Sequence, residues 1–452
     1  MKNSYDIVVV GASSAGAYYA RRMAEQGFSV LVIDKMSKET ISPEYDIAHF
    51  DRRDMVKHGL PIPQEGDGIW SFAFDKAYHY SPTYTDPKPY DVETIGIHKR
   101  AYIQKLNEWA EEAGAEFLYE APFQSVQTKG SAVTGVTFKH GGKDVSVTAR
   151  LVVDASGQGA AVRTALPKKI GVETFKLTNR DVFFVRLRYI QFEERKRWMT
   201  NHSWLSYKMW LAPSDDAYDG ILGIGSCLSY DQGDEYYDLF LKNVAPKLPP
   251  YKVAKIEEKP TPYHRSLFNY VGTGFLAIGD AAIVNRADNG EGMAEAMNHI
   301  DIAIDVTAKA LKKAGKPTKK DLWKINKKYN NGQGRDTALL LAVMAKVLVC
   351  SQETIQYMFE RDCIMAKCII ADLGVGITGK DILHQIKEII RGLRNGRLPK
   401  DQMKVVGAGV AKALPLAVLY TLYPPTPFGY KTWTKLTQKV WDSVGQMSDL
   451  YA

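Results

Sequence analysis

Asp6–Gly16 reads DIVVVGASSAG: four β-branched residues, Ile7–Val10, run directly into the turn Gly11-Ala12-Ser13-Ser14-Ala15-Gly16. A short, uninterrupted apolar run closed by glycine predicts a buried strand and a tight turn. Ala17 to Gln26 then predicts a helix, and Phe28 to Ile33 (FSVLVI) a second strand that ends at Asp34. Strand, turn, helix and strand within about 30 residues make one βαβ unit.

The turn is a GxGxxG pattern in which Ser13 stands at the middle glycine. Gly11 permits the tight turn, and Gly16 lets the helix lie close to the sheet. The helix start at Ser14 and Ala15 then offers amides and a positive dipole to a pyrophosphate. Asp34, with Lys35 beside it, lies 23 residues beyond Gly11. A carboxylate at that place accepts from ribose hydroxyls and disfavours a 2′-phosphate. Together these features predict a dinucleotide site. NAD and FAD share the motif, so the choice depends on the rest of the chain.

At 452 residues the chain is too long for one ordinary core, and two or three domains are expected. Residues 40–90 are rich in Pro, Asp and aromatic side chains, as an excursion into a second domain would be. Arg100 to Ala113 has helical spacing closed by Gly114, and Phe117 to Val153 alternates like strands. Runs such as DVFFVRLRYI and GILGIGSCLSY within 181–230 predict an antiparallel sheet. Phe275 to Ile278 predicts a buried strand, a helix follows from about Gly292 to Ala314, GKPTKKD reads as a linker, and the remainder is helical in character. The expected fold is α/β, α+β overall. It combines a Rossmann-like dinucleotide domain (1–45, 90–165 and 270–315), an antiparallel-sheet substrate domain (46–89 and 166–269) and a helical C-terminal region (316–452).

Two further segments point to FAD. Asp154-Ala155-Ser156-Gly157, continuing to Arg163, resembles the DGxxSxxR stretch of flavoprotein hydroxylases and reductases. Phe275–Ala282 (FLAIGDAA) is similar to their GDAA motif at Gly279 and Asp280. The resemblance implies that Asp280 accepts from the ribityl hydroxyls. It also implies that Asn289-Gly290-Glu291-Gly292 brings amides and a helix dipole to the flavin edge that is negative when reduced. Arg100 matches the arginine that such proteins place at a helix start near the FAD phosphates.

The motif order resembles the p-hydroxybenzoate hydroxylase-like flavoproteins and, within them, the archaeal geranylgeranyl reductase family. That family saturates isoprenoid double bonds, in archaeal members those of digeranylgeranylglycerol phospholipids, with flavin N5 as hydride donor. Its aromatic-x-Trp-x-Phe-Pro stretch followed by GxG lines the substrate cavity. Here Lys208-Met209-Trp210-Leu211-Ala212-Pro213 and Gly223-Ile224-Gly225 are similar to it, with Tyr207 adjacent, while Lys208 and Ala212 depart from the aromatic positions. The resemblance implies Tyr207, Trp210, Pro213, Gly223 and Gly225 as cavity residues and a geranylgeranyl-type lipid as substrate. No side chain is singled out as proton donor. An FAD monooxygenase would share every flavin motif, and a flavin electron carrier without an organic substrate is the alternative of another class. No WxWxIP-type segment of a tryptophan halogenase is present. With no second dinucleotide motif, the reductant is NAD(P)H reacting at the flavin or an external ferredoxin.

The formal charge is +8, which favours a negative partner. Lys and Arg are scattered without a compact basic and aromatic block, so nucleic acid is not expected. Cys227, Cys350, Cys363 and Cys368 lack metal-cluster spacing, and no metal is expected. They read as buried or free thiols, or as a Cys350–Cys363 disulfide of the hyperthermophile kind. The N-terminus has no basic region followed by an apolar core and a cleavage site, so a cytoplasmic protein is expected. Val405 to Tyr423 is the most apolar stretch and is about long enough to span a bilayer. Lys412 and Pro415 interrupt it, leaving three readings: buried helix, membrane-surface element at the inner face of the cell membrane, or transmembrane span.

Overall fold

A computed structural model gives the structure of the chain over residues 2–43, 47–83, 87–204, 207–285, 292–363 and 379–445. Two eight-stranded sheets organise the described residues. In the first, Phe275–Ala277, Lys143–Asp154, Ser4–Val10, Val30–Ile33 and Glu116–Leu118 lie side by side and parallel. Ile7, Val8, Leu31, Val32, Val152 and Val153 are fully buried, as expected of a parallel sheet covered on both faces. Phe123–Lys129 and Ala132–His140 extend Lys143–Asp154 as an antiparallel ribbon.

Helices Ser14–Ala24 and Lys99–Glu112 pack together beside this sheet, and Gly292–Leu311 packs on the first of them. Their observed bounds fall within a few residues of those expected from sequence. The excursion over 40–90 supplies Ile47–Asp51, Trp70–Tyr80 and, with its last residues at His98, Lys88–His98 to the second sheet.

That second sheet continues with Val182–Phe192, Asn201–Trp204, Met209–Ala212, Gly220–Cys227 and Tyr251–Pro262. Its pairings are antiparallel except for Asn201–Trp204 against Trp70–Tyr80, which run parallel. One face packs Ile190, Trp204, Met209, Leu211, Leu222 and Ile224 around Phe240 of helix Tyr230–Asn243. The other face gathers Ile47, Phe72, Phe74, Leu187, Tyr189 and Ile221.

From residue 319 onward the described chain is helical, in Lys319–Asn331, Gln333–Leu348, Gln352–Glu360, Gly379–Arg394, Lys400–Thr421 and Tyr430–Val444. The expected linker at 315–321 is shorter than its composition suggested. Thr318 and Asp321 form a reciprocal capping box that starts the first of these helices inside it, satisfying two amides at once. Cys227, Cys350 and Cys363 are free thiols, so Cys350 and Cys363 are not bridged, while Cys368 lies outside the described residues.

Candidate functional site

The glycine turn is fixed by contact as well as conformation. Gly11 has φ +110°, and a Cβ there would overlap the Ala155 carbonyl. A Cβ on Gly16 would overlap the Gly11 carbonyl. Helix and loop therefore meet backbone to backbone, as a close pyrophosphate approach requires. Ser13 is the N-cap of helix Ser14–Ala24 but makes no side-chain capping bond. Its hydroxyl leaves the first-turn amides to another acceptor.

Asp34 ties the second strand to this turn. Its two carboxylate oxygens accept from the amides of Ala12 and Met36, each at 2.8 Å. Each oxygen keeps lone-pair capacity for a second donor such as a ribose hydroxyl. Lys35 beside it is exposed. Arg100 is the second residue of helix Lys99–Glu112. Its Nε is buried and has no hydrogen-bond partner among the described residues. Such a group is expensive unless a ligand satisfies it.

The GDAA turn lies against the same helix start. A Cβ on Gly279 would stand 2.9 Å from the Cβ of Ala15. Asp280 follows, partly exposed, and its carboxylate accepts no hydrogen bond among the described residues. Burial pushes its pKa up from the ordinary value, against the positive charges of Lys259 and Lys99. Gly292 opens helix Gly292–Leu311, and a Cβ on it would lie 3.5 Å from Asp280 Oδ1. Gly290 and Glu291, with Asn289, lie outside the described residues.

Asp154, of the DGxxSxxR-like stretch expected at the cofactor, uses its carboxylate within its own loop. It is fully buried and accepts from the Ser156 amide (3.0 Å), the Ser156 hydroxyl (2.6 Å) and the Arg163 amide (2.6 Å). Its carboxylate thus braces its own loop. Arg163 carries the brace onward, donating to the carbonyls of Ala281 (2.7 Å), Glu173 and Phe175 (both 2.9 Å). Asp154 and Arg163 therefore set the position of the GDAA turn from behind.

These residues fit FAD. The described residues supply a helix start without a side-chain cap at Ser13, close backbone contacts at Gly11 and Gly16, the buried Arg100 Nε without a partner among them and the Asp280 carboxylate without a donor among them. Pyrophosphate, phosphate charge and sugar hydroxyls are the groups they complement.

In the second sheet, Trp210 pairs with Gly223 across antiparallel strands. A Cβ on Gly223 would overlap the indole, and one on Gly225 would touch it at 3.4 Å. The two glycines are the seat of the Trp210 ring, on the face that carries Phe72, Phe74 and Tyr189. Pro213 is buried just beyond the strand end. Tyr207 is not brought to this place. It is buried on the helix-covered face, with its ring 6.4 Å from that of Phe240. Lys208 follows it with φ +53° and is also buried. Its Nζ lies 4.5 Å over the Tyr236 ring, and burial pushes its pKa down to about 8.

One polar cluster carries no sequence signal. Glu295, one turn into helix Gly292–Leu311, is buried and accepts from the Tyr329 hydroxyl at 2.9 Å and from Gln333. His299 is fully buried with its ring 4.7 Å from Tyr270 and 4.9 Å from Tyr329. Burial pushes its pKa down to about 3, so the ring is neutral. Glu295 and His299 sit one turn apart on the same helix, and packing alone brings Tyr270, Tyr329 and Gln333 to them from other segments.

Residues 64–316 match the family of FAD dependent oxidoreductases. The chain is similar to the digeranylgeranylglycerophospholipid reductase of Sulfolobus acidocaldarius, 22% identical over 460 residues covering 96% of this chain and 97% of that protein. It is also similar to the enzyme of the same name from Methanocella arvoryzae, 25% identical over 356 residues, 74% of this chain and 85% of that protein. Among solved structures, a geranylgeranyl bacteriochlorophyll reductase-like protein from Thermoplasma acidophilum superposes with a TM-score of 0.72 at 18% identity. That superposition covers 87% of this chain and 99% of the other. A flavin-dependent brominase superposes with a TM-score of 0.64 at 18% identity, covering 86% and 99%. At these identities the superpositions speak for the fold.

Proposed function

The chain belongs to the family of FAD dependent oxidoreductases, and we propose that within it the protein saturates isoprenoid C=C bonds of geranylgeranyl chains in ether-lipid precursors. The observation that carries this reading is the similarity to a digeranylgeranylglycerophospholipid reductase over 96% of the chain. FAD, when bound and reduced, supplies a hydride to one alkene carbon while a proton reaches the other.

The protein's part is binding, orientation and exclusion of water. Gly11, Gly16 and the amides of Ser14 and Ala15 cradle the pyrophosphate, and Asp34 takes the ribose. Arg100 places its guanidinium on the phosphates, where its buried Nε gains a partner. Asp280, with Gly279 and Gly292 beside it, accepts from the ribityl hydroxyls. The first sheet with its helices serves as the FAD domain, and the second sheet as the substrate domain. Trp210, seated on Gly223 and Gly225, is the wall that holds the flat alkene segment in register, and the apolar side chains around it keep water out.

The test is product analysis. Protein reduced chemically without oxygen is incubated with digeranylgeranylglycerol phospholipid, and the product gains two hydrogens per bond saturated. No gain without oxygen, followed by rapid oxygen uptake and a hydroxylated product once air is admitted, rejects the reductase in favour of an FAD monooxygenase.

A further inference from the structure

Helix Lys400–Thr421 is long and apolar enough to cross a membrane by length and composition, yet one side of it is built into the protein. Val406, Gly409, Ala413, Leu416 and Tyr420 are buried. A Cβ on Gly409 would lie 3.1 Å from the Ala342 carbonyl of the neighbouring helix Gln333–Leu348. The C-terminal end is tied down by several donors. Trp433 Nε1 donates to Leu419 O at 2.7 Å, Lys327 Nζ to Tyr423 O at 2.8 Å and Trp323 Nε1 to Pro424 O at 2.9 Å. A helix held this way does not leave the body to span a bilayer.

Its other side is apolar and exposed. Val410, Leu414, Val418 and Leu422 recur every four residues and are 45%, 65%, 57% and 66% exposed, so they form one stripe. Phe428, in the turn that follows, is 91% exposed. From Val405 to Leu422 the only charged residue is Lys412, and its amine reaches inward to the Ser443 carbonyl. A soluble surface rarely leaves such a run of large apolar side chains to water.

Charge identifies the occupant. Residues 379–445 hold eleven Lys and Arg against four Asp and Glu, seven of the chain's eight excess positive charges. Lys400 and Lys404 precede the stripe, and Lys431, Lys435 and Lys439 follow the turn; all five are exposed. We propose that the outward face of helix Lys400–Thr421, with Phe428 at its end, docks the protein on an anionic lipid bilayer. The helix lies in the interface, the stripe enters the acyl boundary, and the lysines meet the headgroups. A second copy of the chain is a poor occupant, because it would bring two such positive segments together.

Flotation of the full-length, flavin-loaded protein tests this without turnover. It is therefore decided separately from the reductase reading. Vesicles of phosphatidylcholine with phosphatidylglycerol are compared with phosphatidylcholine alone. The protein is expected to float with the anionic vesicles, less with neutral ones, and less at high salt. The double variant Leu414→Glu/Val418→Glu lowers the bound fraction at least about tenfold with flavin absorbance unchanged. If that variant does not fold, Phe428→Ser at the exposed turn still lowers binding several-fold. The proposal is overturned if the protein stays unbound with anionic vesicles or if the folded variants float as the parent does. It is also overturned if sedimentation shows a dimer that the same substitutions abolish.

Discussion

Trp210 and Gly223 face each other on neighbouring antiparallel strands, and the Trp210 indole occupies the space that a Cβ on Gly223 would need. The ring's position is thus set by the absence of a side chain on the next strand. Gly223→Ala must push the indole away, at a stability loss of about 1–3 kcal/mol. The expected result is a lower kcat/KM for the isoprenoid lipid with flavin content retained. Unchanged kinetics in a folded variant would remove Trp210 from the substrate wall.

Arg100 offers a complementary separation. Its Nε has no partner among the described residues, so Arg100→Gln is expected to disturb little of the apoprotein while removing a charge-assisted bond to phosphate. A bond of about 1.5–3 kcal/mol corresponds to a roughly 10- to 150-fold weaker FAD affinity. Titration of apoprotein with FAD measures this, and unaltered far-UV dichroism is expected alongside.

Asp280 sets function against stability. Burial raises its carboxyl pKa, so the ionised form opposes folding of the apoprotein at neutral pH. That penalty fades as pH falls through the raised value toward the ordinary carboxylate range. Asp280→Asn is therefore expected to make the apoprotein more stable at pH 7, with no advantage at pH 3. The same substitution weakens FAD binding through the lost ribityl acceptor. Chemical denaturation at the two pH values, with and without FAD, reads both effects.

Buried neutral histidines predict the acid response. Burial pushes His299 down to about 3, and His79 and His202 to about 4, from an unperturbed 6.5. Each takes up a proton on unfolding, so its stabilisation is present above pH 6.5 and is lost as pH falls toward its folded value. His299, which is fully buried, alone accounts for about 2 kcal/mol between pH 7 and 5. Urea unfolding across that interval is expected to show falling stability, and a shallower fall for His299→Phe. A flat profile would contradict the neutral assignment.

Much of the flavin-type region was legible because its signals are local. Ile7–Val10, Gly11, Gly16 and Asp34 lie within one βαβ unit, and each follows from what a tight turn and a close helix demand. The DGxxSxxR resemblance marks Asp154 to Arg163 as one stretch, but not that the loop folds back so that Ser156 and Arg163 occupy the Asp154 carboxylate. That return is a three-dimensional event which the residue types leave open. Tyr207 was misplaced because the chain around Lys208 carries it to the opposite sheet face from Trp210. Glu295 and His299 share one helix at a four-residue spacing, but Tyr270 and Tyr329 reach them only through packing. Helix Lys400–Thr421 divides the readings of its apolar sequence between two faces, one buried and one bare, which composition cannot apportion.

The most direct measurement is a single turnover without oxygen. Flavin bleached by chemical reduction is mixed with geranylgeranyl lipid, and absorbance near ~450 nm is followed while the lipid is weighed by mass spectrometry. Colour is expected to return as the lipid gains two hydrogens, and Gly223→Ala to slow both together. Colour that stays bleached until air is admitted, with the lipid unchanged in mass, would contradict that expectation.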